Sequence, residues 1–145
     1  MSVYTQTIQG VYIPLTSAIR TATQIIVGRT LIEPQVNTVF ASGINPEIGG
    51  IIAHLNVTAA PGVETLQLVL EEQDPASNVW SAVLATLVTT ATGMVKLKVS
   101  PAITAVAPSI TIAQAQDTMP AIWRLRVVHS AAANWTYSLG VVLYN

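Results

Sequence analysis

The segment that decides the fold is residues 119–145, MPAIWRLRVVHSAAANWTYSLGVVLYN. It contains two runs that alternate apolar and polar residues with a period of two, which is typical of strands with one buried face. The residues predicted to face inward are Trp123, Leu125 and Val127 in the first run, and Trp135, Tyr137, Leu139, Val141 and Leu143 in the second. The polar linker SAAAN between the runs predicts a hairpin loop.

The same period continues upstream to about residue 50. The predicted inward sets there are Ile51, Ala53, Leu55 and Val57, then Leu66, Leu68 and Leu70, then Val95, Leu97 and Val99. Turn residues separate these runs at Pro61-Gly62, Asp74-Pro75 and Gly93. Residues 101–120 are less regular and predict one short strand, SITIA. Strands at this spacing favour an antiparallel β-sandwich, jelly-roll-like, or a small barrel.

The first third of the chain has a different pattern, with prolines at 14, 34 and 46 and only short apolar clusters. It predicts an extended N-terminal arm with one or two edge strands over residues 1–48, followed by a sandwich domain over residues 49–145. An apolar arm of this kind is a candidate for strand addition to a neighbouring chain. The alternative is a frayed terminus followed by one ordinary sandwich strand.

The composition combines 51% apolar with only 9% charged residues over 145 residues, whereas about 25% charged is typical. Polar residues interrupt every apolar stretch before the roughly 20 residues of a membrane-spanning helix, so we expect no membrane partner. The net charge of −1 with scattered Lys and Arg predicts no nucleic-acid partner. So little charge indicates that other chains cover part of the surface. The alternative is a neutral monomer with a surface of Thr, Ser, Ala and Gln.

No catalytic, cofactor-binding or metal-binding residue is predicted, and we expect no enzyme and no cofactor. The chain has no cysteine, which excludes thiolate chemistry. The acidic cluster Glu71, Glu72 and Asp74 leads into a turn, where we expect a solvated edge with too few oxygen ligands for calcium. Glu71 and Glu72 point to opposite faces and cannot form a glycosidase pair. The histidines, His54 and His129, are expected to be exposed structural residues on the faces opposite the core.

The three tryptophans allow a test for sugar binding, because exposed aromatic rings on a sandwich can stack on carbohydrate. Trp123 and Trp135 are in phase with Leu and Val on their strands, which favours burial in the core. Trp80 follows a turn, and its position is not decided by this pattern.

Several of these motifs together resemble a family of small structural proteins encoded by tailed phages and prophages. The shared features are the Asp-Pro-x-Ser turn at Asp74–Ser77, the aromatic residue Trp80, a Thr-Gly turn before a strand that ends in Ser-Pro, the closing Thr-Tyr-Ser at Thr136–Ser138, and the upstream stretch LTSAIRTAT. The resemblance covers most of the chain. Its motifs are turn and core patterns rather than catalytic signatures.

The resemblance implies a virion component on the capsid exterior. Small all-β proteins of this kind commonly decorate the phage head, often as trimers, and use an N-terminal arm to bind neighbouring shell subunits. The implied partners are the major capsid protein and copies of the chain itself, as a homo-oligomer such as a trimer. The alternatives are a tail or head-fibre component, or a glycan-binding β-sandwich module.

Overall fold

The computed structural model describes residues 10–29 and 49–144, which form nine β-strands and contain no helix. The strands are β1 (Gly10–Arg20), β2 (Gln24–Arg29), β3 (Gly50–Ala59), β4 (Leu66–Gln73), β5 (Trp80–Ala85), β6 (Gly93–Val99), β7 (Ile112–Ala115), β8 (Ile122–His129) and β9 (Trp135–Tyr144). The turn residues noted in the sequence lie between these strands or at their ends.

The strands form two sheets that pack face to face. The first sheet, called sheet A, has the order β1-β9-β3-β6-β7, and the second, sheet B, has the order β2-β8-β4-β5. The predicted antiparallel β-sandwich is therefore confirmed. The two sheets of the described chain remain open at their edges and do not close into a barrel.

The strand order, which the sequence did not give, is that of a jelly roll. Four antiparallel pairs lie in alternate sheets: β1 with β9, β2 with β8, β3 with β6, and β4 with β5. Further antiparallel pairing of β3 with β9 and of β4 with β8 joins these pairs into the two layers. The short strand β7 is an addition to this plan and pairs parallel to β6 at the far edge of sheet A.

The core lies between the sheets and consists of the side chains that alternation predicted to face inward. Every member of the five predicted inward sets is at most 5% exposed. Trp123 and Trp135 are 2% and 0% exposed, which confirms that they belong to the core. Burial at roughly 25 cal/mol per Å² of apolar area makes this layer the main source of stability.

Two connections differ from the prediction. The SAAAN linker was predicted to close a hairpin, and this is wrong: β8 lies in sheet B and β9 in sheet A, so the linker crosses between the sheets. Alternation gives the buried face of each strand, but it does not say which strand lies alongside. The strand predicted at SITIA forms three residues later, as β7.

The predicted arm is described in part. Its residues 10–29 form β1 and β2, which are edge strands of sheets A and B respectively. Residues 1–9 and 30–48 lie outside the described residues. The division of the chain at residue 48 therefore stays a prediction.

Candidate functional site

The acidic cluster of the sequence does not form a pair of facing carboxylates. Glu71 is 8% exposed and lies on the outer side of sheet B, opposite Arg124 on β8. Its Oε1 accepts a 2.8 Å hydrogen bond from Arg124 Nε and lies 3.4 Å from Arg126 Nη1. The expected solvated edge is thus wrong for Glu71, whose charge is neutralised by two arginines. Glu72, the next residue, is exposed.

Asp74 organises the turn between β4 and β5 rather than a cation site. Its Oδ1 accepts a hydrogen bond from the Ala76 backbone N–H at 2.9 Å, and its Oδ2 accepts one from the Ser77 hydroxyl at 2.8 Å. The Ala76 N–H, followed by the Ser77 hydroxyl, lowers the pKa of this carboxyl. Because both oxygens accept from the turn itself, the predicted Asp-Pro turn is confirmed, and the carboxylate is already engaged.

His54 lies on the outer side of sheet A, as expected, but it is partly buried rather than exposed and lies beside two lysines. It is paired with Lys96 of β6, and Lys98 is two positions further along. Partial burial lowers the pKa of His54, and the charges of Lys96 and Lys98 lower it further. No strand of sheet A contains Asp or Glu, so this outer face carries a small positive strip.

His129 is not on an outer face, contrary to expectation. It is the last residue of β8 and continues the inward phase of Trp123, Leu125 and Val127. Its Nε2 lies 2.8 Å from the hydroxyl of Tyr137 on β9, so this hydrogen bond joins the two sheets. Burial lowers the pKa of His129 and raises the pKa of Tyr137 to about 12. The pair therefore remains neutral near pH 7 and connects the layers.

Residues 10–29 and 49–144 contain neither a group of metal-ligating side chains nor a membrane-spanning helix. In those two ranges, no three His, Asp or Glu side chains come close enough together to hold a metal ion. A helix with the length and apolarity to cross a membrane is likewise missing from that part of the chain.

Trp80, which the sequence pattern left undecided, is partly exposed at the start of β5. The Arg124 guanidinium lies over its indole ring, 4.3 Å from the centroid. Arg124 also donates to Glu71. One face of the indole is therefore covered by a side chain that an ion pair holds in place, which leaves less of the ring for stacking on a sugar.

The most unusual surface lies where β1 and β2 run along the same side of the sandwich, one at the edge of each sheet. We call it the open edge. Its apolar residues point to solvent: Val11 is 76% exposed, Ile13 68%, Ile25 51% and Val27 59%. Exposed, long, apolar edge strands are templates for pairing with another chain.

The open edge also contains a cavity of about 230 Å³ between the two strands. Its walls are apolar or aromatic, formed by Tyr12, Ile13, Pro14, Ile26, Val27, Trp123, Val141 and Leu143. The exposed wall residues Ile13 and Val27 show that it opens to solvent. The buried indole N–H of Trp123 has no hydrogen-bond partner within the described structure.

Sequence reasoning did not identify this cavity. One of its walls, the Trp123 ring, packs against Gly28, where a Cβ would lie 2.2 Å from Cζ2. The sequence signal that could have indicated the cavity is the run QIIV at residues 24–27, in which consecutive residues are apolar, so that both faces of the strand are apolar. A strand that is apolar on both faces has a second surface to bury.

No protein-family model matches the chain, and neither does any curated protein. The resemblance to tailed-phage structural proteins therefore stays a prediction.

Proposed function

We propose that this chain is a structural protein of a phage particle, which binds the outside of the head and stabilises the shell by contacts between subunits. The observation that carries the proposal is the open edge. A chain that works through adhesion needs an exposed apolar surface and does not need convergent titratable groups. The sequence resemblance supports the same role.

The four exposed apolar residues of the open edge would supply the driving force for such contacts. Each would contribute on the order of 1 kcal/mol when a partner removes its remaining surface from water, since full burial of Val or Ile is worth about 1.5–3 kcal/mol. Exposed apolar surface marks contact sites in proteins that otherwise keep a polar exterior, and the open edge concentrates four such residues. With 9% charged residues, the chain has few charges to oppose such contacts.

The jelly roll is compatible with this role, because viral capsid proteins and lectins both use it. The same fold serves many functions, so this is an analogy only. Of the two uses, glycan binding receives less support, because Arg124 covers one face of Trp80. An enzyme receives less still, since the carboxylates Glu71 and Asp74 are engaged by neighbouring donors.

The test is to add purified protein to phage heads that lack it. Saturable binding and a higher temperature of shell disruption are expected. The variant Val11→Lys places a charge on the open edge and should weaken binding at least tenfold. Val63→Lys is the matched control, because Val63 is 82% exposed in the loop between β3 and β4.

Purified tails and a glycan array are the comparison arms of this experiment. Saturable binding to tails alone would replace the head assignment with the tail alternative. Selective glycan binding that is lost in Trp80→Ala would favour the glycan-binding module. If neither heads nor tails bind, the proposed function is rejected.

A further inference from the structure

The two strands of the open edge differ in how well they can accept a new strand. β1 pairs with β9 through two register shifts, between Tyr12 and Leu15 and between Leu15 and Ala18. Pro14 lies within the first shift and has no backbone N–H to donate. Bulges and proline are the features by which natural sheets block edge-to-edge pairing. β1 is therefore a protected edge.

β2 lacks this protection. It pairs with β8 residue by residue over Gln24–Arg29 without a register shift, and its sequence QIIVGR contains no proline. In an antiparallel ladder, alternate residues direct their N–H and C=O groups away from the partner strand. In the described structure, β2 is the last strand of sheet B on this side, so those groups form a regular, unpaired edge.

We propose that β2 pairs antiparallel with β2 of a second copy of this chain, with Ile26 of each copy opposite Ile26 of the other. The two B sheets then form one continuous eight-stranded sheet across a two-fold axis. This inference rests on the proposed function only in taking the open edge as a contact surface.

The faces of the strand limit the possible registers. Ile25 and Val27 are opposite Arg126 and Arg124 of β8, so they face outward, whereas Ile26 faces inward opposite Leu125. Residues directly opposite each other in a ladder share a face, so a one-residue slip is excluded. With Ile26 at the centre, Ile25 meets Val27 of the second copy on the outer face. The pairing covers residues 24–28 and leaves position 29 outside.

The charges near the strand are compatible with a second copy. Ile25 and Val27 are neutral, so the seam between copies brings no like charges into contact. On the outer face, the residues that follow one another across the seam are Arg126 and Ile25 of one copy, then Val27 and Arg124 of the second copy. Three strand spacings, about 14 Å, separate these two guanidinium groups. Each copy also supplies Glu71 as a counter-ion to its own arginines.

The interface extends beyond the paired strands. A specific dimer buries about 800 Å² per partner, more than one six-residue strand supplies. The two-fold axis also brings the β1 edges of the two copies towards each other. Ile13 and the mouth of the 230 Å³ cavity adjoin the seam and supply the additional apolar area. Side chains of β1 and backbone of β2 thus contribute to the same contact.

The first experiment measures mass in solution. Light scattering at micromolar concentration should give a dimer for the wild type and a monomer for Ile25→Lys/Val27→Lys, with folding checked by circular dichroism. Val63→Lys is the control and should remain dimeric. A wild-type monomer or trimer overturns the proposal.

The second experiment tests the register, which the absence of native cysteine makes simple. Mixing Ile25→Cys chains with Val27→Cys chains under mild oxidation should produce a disulfide-linked heterodimer. Directly opposite Cα atoms are about 4.5–5.5 Å apart, within disulfide range. Each variant alone offers only diagonal pairs at about 7–8 Å and should cross-link at least fivefold less.

Equal cross-linking in the mixture and in the single variants would overturn the proposed register. These results are separable from those on function. A dimer that binds no phage part supports this inference and rejects the proposed function. A chain that binds heads as a monomer supports the function and rejects this inference.

Discussion

Strands β9 and β2 both pack one face against the core and differ in their outward residues. The inward residues of β9 are fully buried, and its outward residues include Thr136, Ser138 and Gly140. The outward residues of β2 include Ile25 and Val27, both more than half exposed. The buried face of a strand therefore explains the fold, whereas the other face indicates what the protein contacts. The candidate functional surface of this molecule therefore lies at the edge strands and not at the inner strands of the sheets.

The largest loss of stability is expected from a substitution in the core. Trp135→Ala should lower the free energy of unfolding by about 3–5 kcal/mol, since it removes a fully buried ring from β9. Chemical denaturation measures this. Trp80→Ala, on the partly exposed edge strand β5, should lose less than half as much. Equal losses would contradict the division into centre and edge.

The contact between Gly28 of the edge strand β2 and Trp123 of the core should also contribute to stability. Gly28→Ala should destabilise the fold by about 1–3 kcal/mol, because the new methyl group overlaps the Trp123 ring. Gly140→Ala on β9 is the matched control, since nothing lies within 4 Å of the position its Cβ would take. Thermal unfolding of both variants checks this. A neutral Gly28→Ala would mean that β2 can move away from β8.

A smaller loss is expected on the outer face of sheet B. Glu71→Gln should lower the free energy of unfolding by about 1–2 kcal/mol, because it leaves Arg124 and Arg126 close together without a counter-ion. Water screens the partly exposed arginines and limits the loss. Glu72→Gln, at the exposed neighbouring position, should change stability by less than about 0.5 kcal/mol. Urea titrations at low and high salt measure both variants.

The smallest effect is a dependence on pH. The folded-state pKa of His129 is lowered by burial from 6.5, so the unfolded chain takes up a proton first as the pH falls. The free energy of unfolding should therefore be constant between about pH 7 and pH 9 and decrease towards pH 5. His54, whose pKa is also lowered, acts in the same direction.

The variant His129→Gln checks the source of this dependence, because glutamine can still hydrogen-bond the Tyr137 hydroxyl. Denaturation curves at several pH values should have a smaller slope in His129→Gln than in the wild type. A slope that is unchanged in both His129→Gln and His54→Gln would mean that neither histidine causes it.

Much of the fold could be predicted because alternation reports burial directly. The inward residues of β3, β4, β6, β8 and β9 followed from a period of two. Turn chemistry at Gly62 was equally direct, since its φ of +98° favours glycine. The partners of each strand were less accessible, because pairing depends on contacts between distant residues. The sheet crossing after β8 could not be read from a loop of five small residues.

The candidate site was the least predictable part. The open edge arises because β1 and β2, joined by three residues, lie in different sheets and end both sheets on the same side. Glu71 has the same sequence signal as a solvated carboxylate, and only the register of β4 with β8 brings it to Arg124. Residues that are adjacent in space but remote in sequence leave no local pattern.

The pairing of β1 with β9 determines when sheet A can be completed during synthesis. Arg20 at the end of β1 donates a 2.6 Å hydrogen bond to the carbonyl of Tyr137, 117 positions later. During synthesis β1 leaves the ribosome long before its partner strand, and contacts so remote in sequence form slowly. Sheet A can be completed only after β9 has emerged. The nascent chain therefore cannot complete the open edge until nearly all of its core residues are available to fold.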